Sequence, residues 1–146
     1  MTSGASNGKL AGMTKMRNLG DLIDREQDPD KIAVIDVGDD AREYSHGELD
    51  RAANAVARGL RARGLAVGDR VAILSANRIE YLTAYFGAMR AGLVAVPINY
   101  KFPAETVAYI LRDADIGLIF ADAERATGVP DGVPLVVFGA PGDGGF

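Results

Sequence analysis

The 146-residue chain carries a net charge of -4, 48% hydrophobic residues, one histidine and no cysteine. Such a length fits one domain burying roughly 70% of its unfolded surface, and the composition excludes a disulfide framework, a thiolate nucleophile and a zinc cluster. Interspersed charges leave no basic patch for nucleic acid, and no apolar run approaches a transmembrane segment, so a cytoplasmic protein is expected.

Met1 to Gly12 is small and polar, and Met13 offers a second start. Residues 1–17 are therefore read as a leader, disordered or left over from cloning, ahead of an α/β unit over 18–138 and a flexible Gly-rich end over 139–146. From Asn18 the pattern turns helical: Asn18 can cap, and Leu19, Leu22 and Ile23 share a face before Pro29 breaks it. Lys31 to Val37 reads as a strand, Gly38-Asp39-Asp40 as a turn and Arg42-Glu43-Tyr44 as a short extended partner, together a hairpin. Ser45 with Glu48 three residues on spells a capping box, and Leu49, Ala52, Ala53, Val56 and Leu60 give the next helix one apolar face up to Gly64. Asp50, Arg51, Asn54 and Arg58 fall on the opposite face, which is read as solvated.

Val71 to Leu74 is apolar on both sides of a strand, which implies burial between helix layers in a parallel sheet. Asn77 and Glu80 repeat the cap spelling, and Ile79, Leu82, Tyr85, Phe86 and Met89 are predicted to line the buried side of a helix ending before Gly92. Leu93 to Val96 reads as a strand whose ladder Pro97 ends. Pro103 is placed to open a helix carrying Val107, Ile110 and Leu111. Ile116 to Ala121 is another apolar strand, Asp122 to Thr127 a weak helical turn and Pro134 to Phe138 a last strand. Strand and helix alternating from Arg70 onward imply right-handed crossovers and a mainly parallel sheet with helices on both faces, an α/β fold.

Four stretches carry a family resemblance. Arg90-Ala91-Gly92 followed by Val96-Pro97-Ile98-Asn99 resembles the early core motif of the adenylate-forming enzymes, which include acyl- and aryl-CoA synthetases, luciferases and peptide-synthetase adenylation domains. Glu43 to Leu49 is similar to that family's Thr-Tyr-x-x-x-Leu element, Val67 to Leu74 to the turn and strand that follow, and Val107 to Ala114 to its Tyr-Ile-Leu-x-Asp helix. The resemblance runs from about Lys31 to Asp122 and needs no insertion.

Other constellations have plainer explanations. The Gly142-Asp143-Gly144-Gly145 run lacks the following Lys, Ser or Thr and helix of a phosphate loop, and no Gly-x-Gly-x-x-Gly follows a strand. Ser45 beside His46 cannot act as nucleophile and base, because neighbours at a helix start do not face one another. Asp39 with Asp40, and Asp113 with Asp115, are read as solvated turn ends, and no metal ligand is assigned. Tyr85, Phe86 and Tyr109 have helical spacing and are expected in the core. Lys101 sits in a loop at the carboxyl end of a parallel strand, where open α/β sheets place ligands. In the CoA ligases of the resembled family, a basic residue two positions after the loop Asn can meet the CoA phosphates. That match falls on Lys101 after Asn99, with Tyr100-Lys101 standing where Pro-Arg is frequent; the alternative is a solvated lysine.

The resemblance implies the opening part of the N-terminal subdomain of an acid-thiol ligase. Such a parent joins a carboxylic acid to ATP, with Mg2+, as an acyl-adenylate, then passes the acyl group to CoA; the wording around Pro97 to Tyr100 points toward fatty or related acids. The family's Ser/Thr/Gly-rich phosphate loop and C-terminal catalytic lysine have no match in the 146 residues. The segment alone is therefore expected to hold no cofactor, to be inactive, to depend on the remaining part of the enzyme, and to self-associate through uncovered edges. The alternative is a stand-alone α/β module that binds a partner protein or nucleotide without catalysis.

Overall fold

The computed structural model describes residues 18–22, 28–37 and 41–139. The expected leader, Ile23, the Gly38-Asp39-Asp40 turn and the end beyond Gly139 lie outside the described residues. Asn18 caps as anticipated: its Oδ1 accepts from the Gly20 amide at 2.9 Å, and Leu19–Leu22 form one 3-10 turn. Strand β1 (Ile32–Asp36) pairs antiparallel with β2 (Arg42–Ser45), forming the hairpin expected from the sequence.

Ser45 opens α1 (His46–Ala62) with a complete capping box. The Glu48 amide donates to Ser45 Oγ at 3.2 Å and the Ser45 amide donates to the Glu48 carboxylate at 2.9 Å, so two helix-start donors are satisfied reciprocally. Gly64 takes φ 86 just beyond the other end, a conformation that costs a residue without a Cβ little. Leu49, Ala53, Val56 and Leu60 are buried as the periodicity requires.

The chain then alternates: β3 (Arg70–Leu74), α2 (Ile79–Arg90), β4 (Val94–Pro97), α3 (Ala104–Asp113), β5 (Ile116–Ala121), α4 (Ala123–Ala126) and β6 (Leu135–Val137). These four strands form a parallel sheet in the order β4-β3-β5-β6. The two-residue period of a strand sends side chains to alternate faces. Val71, Ile73, Leu118 and Phe120 pack with Val56 and Leu60 of α1 and Ala84 and Ala88 of α2. Ala72, Leu74, Ile119 and Ala121 pack with Val107 and Leu111 of α3 on the other face. No helix among the described residues is long and apolar enough to cross a membrane.

Four local expectations need correction. The Asn77 and Glu80 box does not form: Arg78 stands at the N-cap of α2 without a side-chain cap, and Glu80 instead takes the Arg78 guanidinium at 2.7 and 2.8 Å. A charge-assisted fork outcompetes a single neutral cap bond. The deepest positions of α2 are Thr83, Ala84, Gly87, Ala88 and Met89, whereas Ile79, Leu82, Tyr85 and Phe86 are half-buried on its flanks. Gly87 meets Val56 and Ala53 of α1 where the helices lie closest, while Ile79, Leu82 and Phe86 pack against Leu49 and Ala53 farther along. Tyr109 is 58% exposed, its hydroxyl donating to Asp113 at 3.3 Å, so it is surface rather than core. Pro103, as expected, opens a helix, standing at the N-cap of α3.

The fourth correction concerns the face of α1 read as solvated. Arg90, at the end of α2, has a side chain only 5% exposed. Its Nε donates to the Gly20 carbonyl at 2.8 Å, its Nη1 to the Asp50 carbonyl at 3.0 Å and to Asn54 Oδ1 at 3.1 Å. Its Nη2 lies 2.7 Å from Asp50 Oδ1. Asp50 and Asn54 are thus taken up by a partner from another helix.

Gly87 makes the helix contact testable. A Cβ there would lie 2.5 Å from Val56 Cβ and 2.9 Å from the Ala53 carbonyl oxygen, so Gly87→Ala must push α1 and α2 apart. Better helix propensity will not offset that clash, and a loss of about 1–3 kcal/mol is expected. An unchanged or raised urea midpoint for Gly87→Ala would contradict it.

Candidate functional site at the carboxyl end of the sheet

Connection geometry decides where this sheet opens. From β3 the chain leaves toward α2 on one face, whereas from β4 and β5 it leaves toward α3 and α4 on the other. Adjacent strands whose connections diverge leave a crevice at their carboxyl ends, the usual ligand position in open α/β sheets.

Asp122 occupies that crevice directly after β5, and it is only 6% exposed. Its carboxylate accepts from the Ala76 amide at 3.0 Å, beyond β3, and from the Arg125 amide and Nη1, each at 3.0 Å. Burial pushes this carboxyl up, but the Ala76 and Arg125 amides and the Arg125 charge outweigh it and hold it below the ordinary aspartate value. Asp122 is therefore an ionised tie between the two diverging loops. It also caps α4.

Around the tie lies an open cleft of about 650 Å³, bounded by Asp36, Arg42 and Tyr44 from the hairpin and by Asn77, Arg78, Glu80 and Arg125 from the sheet. Its cations are matched by anions. The Arg78 fork holds Glu80 below the usual carboxylate range against the opposing effect of burial, and Arg42 lies 3.6 Å from Glu48. Arg125 reaches Asp122 and also Glu124, at 2.9 Å.

Lys101 is exposed in the turn after β4, its amide donating to Asn99 Oδ1 at 3.0 Å. Its Nζ lies 5.9 Å from the centre of the Tyr100 ring, and the Arg125 guanidinium lies 4.4 Å from the same ring. Among the described residues Lys101 makes no ion pair. The structure thus brings Lys101 to the carboxyl end of the sheet, next to the crevice.

Remaining candidates resolve into structural roles. Ser45 caps α1, Asp113 accepts from Tyr109, and Asp115 pairs with Arg70. Asp39 and Asp40 lie outside the described residues. No group of three His, Cys, Asp or Glu that could hold a metal ion occurs among the described residues. Sequence reasoning missed Asp122 and Arg125 as a site. The available signal was an acidic residue at the end of a fully apolar strand, with an arginine three residues on.

Comparison with known proteins follows the same segment. A family model described as AMP-binding enzyme matches residues 24–137. The fatty acid–acyl-carrier-protein ligase ScoC of Streptomyces coeruleorubidus is 36% identical over 99 residues, which cover 68% of this chain and 18% of that protein. The long-chain-fatty-acid–CoA ligase FadD13 of Mycobacterium tuberculosis is 34% identical over 113 residues, 76% of this chain and 22% of that protein. Among solved structures, ATP-bound MatB from Rhodopseudomonas palustris superposes with a TM-score of 0.71 and 31% identity over 79% of this chain and 24% of its own. The chain spans less than a quarter of each of these relatives.

The Asp122 tie predicts a pH dependence. A carboxyl whose folded value is lowered contributes stability that is fully present above the ordinary aspartate value of about 3.9 and is lost as pH falls through the lowered one. Asp122→Asn should therefore lower the urea midpoint most near neutral pH. The gap to the parent chain should narrow as pH falls below the ordinary aspartate value; a gap that does not vary with pH would show that ionisation contributes nothing.

Proposed function

The chain belongs to the AMP-binding enzyme family, and on that footing we propose that residues 18–138 form the opening of the N-terminal subdomain of an acyl-CoA synthetase. In the proposed reaction a carboxylate oxygen attacks the α-phosphorus of ATP and pyrophosphate leaves. A thiol sulfur then attacks the acyl carbon, and AMP leaves. The family match across residues 24–137, with acid ligases among the relatives, carries this reading. Fatty or related acids are the proposed substrates, in keeping with the two ligases named above.

Within that reaction this segment supplies scaffold and one contact. Stabilising a transferring adenylyl group needs amides, cations and Mg2+ arranged around it in advance. The described residues offer no cluster fit to hold the metal. Lys101 does fit a phosphate: it is exposed, lacks an ion pair among the described residues, and stands at the end of a parallel strand. CoA is the proposed owner of that phosphate.

Two outcomes follow. The 146-residue chain by itself should catalyse no carboxylate-dependent ATP–pyrophosphate exchange, and exchange above a blank preparation would refute the assignment of the chemistry to other parts of the enzyme. In the full ligase, Lys101→Ala should raise the Michaelis constant for CoA about tenfold, the equivalent of roughly 1.4 kcal/mol from a charge-assisted contact. Adenylation should change little. A CoA dependence equal to that of the parent enzyme would return Lys101 to the status of a solvated lysine.

A further inference from the structure

Lysine is a poor phosphate ligand unless something places it, because its charge rides on a long flexible stem. The backbone around Lys101 is only locally restrained. The last bond from this strand to the sheet is from the Ile98 amide to the Ile73 carbonyl, at 3.0 Å. Beyond it, the Lys101 amide donates to Asn99 Oδ1 and the Phe102 amide to the Asn99 carbonyl, each at 3.0 Å. Both bonds close the turn on itself and neither fixes it in space.

A longer-range contact does fix it. The Arg125 guanidinium lies over the Tyr100 ring at 4.4 Å from its centre, well within the range of a cation–π interaction. Arg125 is itself held at two points, because its amide and its Nη1 both donate to Asp122. Asp122 is buried and tied in turn to the Ala76 amide. A chain of contacts thus runs from the loop after β3, through the end of β5, to the ring that precedes Lys101.

Charge gives this chain a purpose. Two cations approach one ring, Arg125 at 4.4 Å and Lys101 at 5.9 Å from its centre. Arg125 is neutralised by Asp122 and Glu124, while Lys101 has no anion among the described residues. The arrangement leaves one uncompensated positive charge, held beside a ring that cannot rotate away from the guanidinium without losing the contact.

We propose that Arg125 is a positioning residue for the thiol substrate: through the face of Tyr100 it fixes the loop after β4, and so sets where Lys101 meets a phosphate of CoA. This rests on the reading of Lys101 given above. Tyr100 is the working part of the clamp because its face, not its hydroxyl, meets the cation.

Amide hydrogen exchange on the 146-residue chain tests the clamp, and CoA kinetics of the full ligase test its use. Tyr100→Ala and Arg125→Ala should each speed exchange at Lys101 and Phe102 by about threefold or more. Tyr100→Phe, which keeps the ring face, should not, and the amides of Ala72 and Ile73 should be unmoved in all three. In the ligase, Tyr100→Ala should raise the Michaelis constant for CoA about threefold and that for ATP much less, with Tyr100→Phe restoring it. Loop exchange unaltered by Tyr100→Ala, or raised equally at Ala72 and Ile73, would overturn the proposal. If Lys101→Ala raises the constant for CoA and Tyr100→Ala does not, the positioning role alone falls. If neither raises it, the CoA reading of Lys101 falls as well.

Discussion

A single buried guanidinium holds three separate pieces of this chain together. Arg90 donates to a carbonyl 70 residues earlier in the 3-10 turn and to groups 40 and 36 residues earlier in α1, while its own backbone ends α2. A buried cation is costly unless charge and hydrogen bonds surround it. Here both are present, with the Asp50 carboxylate at 2.7 Å. The arrangement specifies more than it stabilises: removing Asp50 would strand a charge, and losing the Asn54 or Gly20 acceptor would leave a buried donor unpaired, so the helices have one acceptable register. Gly20 belongs to the same device. A Cβ there would meet Arg90 at 2.6 Å, so only glycine lets the turn approach closely enough to offer its carbonyl.

The residues after Arg90 extend that constraint to the sheet. Ala91 is 2% exposed and fills the core beneath the helix end. Gly92 takes φ 77, which redirects the chain, and its carbonyl accepts from the Gly68 amide at 2.9 Å. Val94 then pairs with Arg70 at the start of the β3 and β4 ladder. The short run Arg90-Ala91-Gly92 is thus one mechanical unit: a pin, a plug and a hinge. Its conspicuous wording in the sequence has a physical cause at each position.

Legibility followed the distance between partners. Ser45 and Glu48 satisfy each other across three residues, and the spelling alone was enough to find them. Asn77 and Glu80 have the same spelling, but Arg78 between them offers Glu80 a stronger bond, a competition that a cap rule does not weigh. The strands of the parallel sheet were readable because burial on both faces leaves continuous apolar runs. The Asp50 and Asn54 pairing with Arg90 was not, since a polar residue waiting for a distant partner looks like a solvated one. Asp122 failed to stand out for the same reason: its partner amide at Ala76 is 46 residues away. Lys101 was singled out by its place after a parallel strand and by resemblance, whereas the contact of Arg125 with the ring before it is one that no local pattern encodes.

The two arginine devices differ in what they leave over, and that difference separates support from binding. Arg90 is sealed: its Nε and Nη1 donate to protein acceptors, its Nη2 lies 2.7 Å from Asp50 Oδ1, and its side chain is nearly out of reach of water. Arg125 is satisfied by carboxylates on one side, yet it presents its flat face to Tyr100 at the rim of the sheet, where the next residue carries an unmatched charge. A cation that is fully neutralised can organise a neighbour without competing for the neighbour's ligand. At the carboxyl ends of diverging strands such a division is useful, because in the proposed site a ligand's negative charge would fall on Lys101, which makes no ion pair among the described residues.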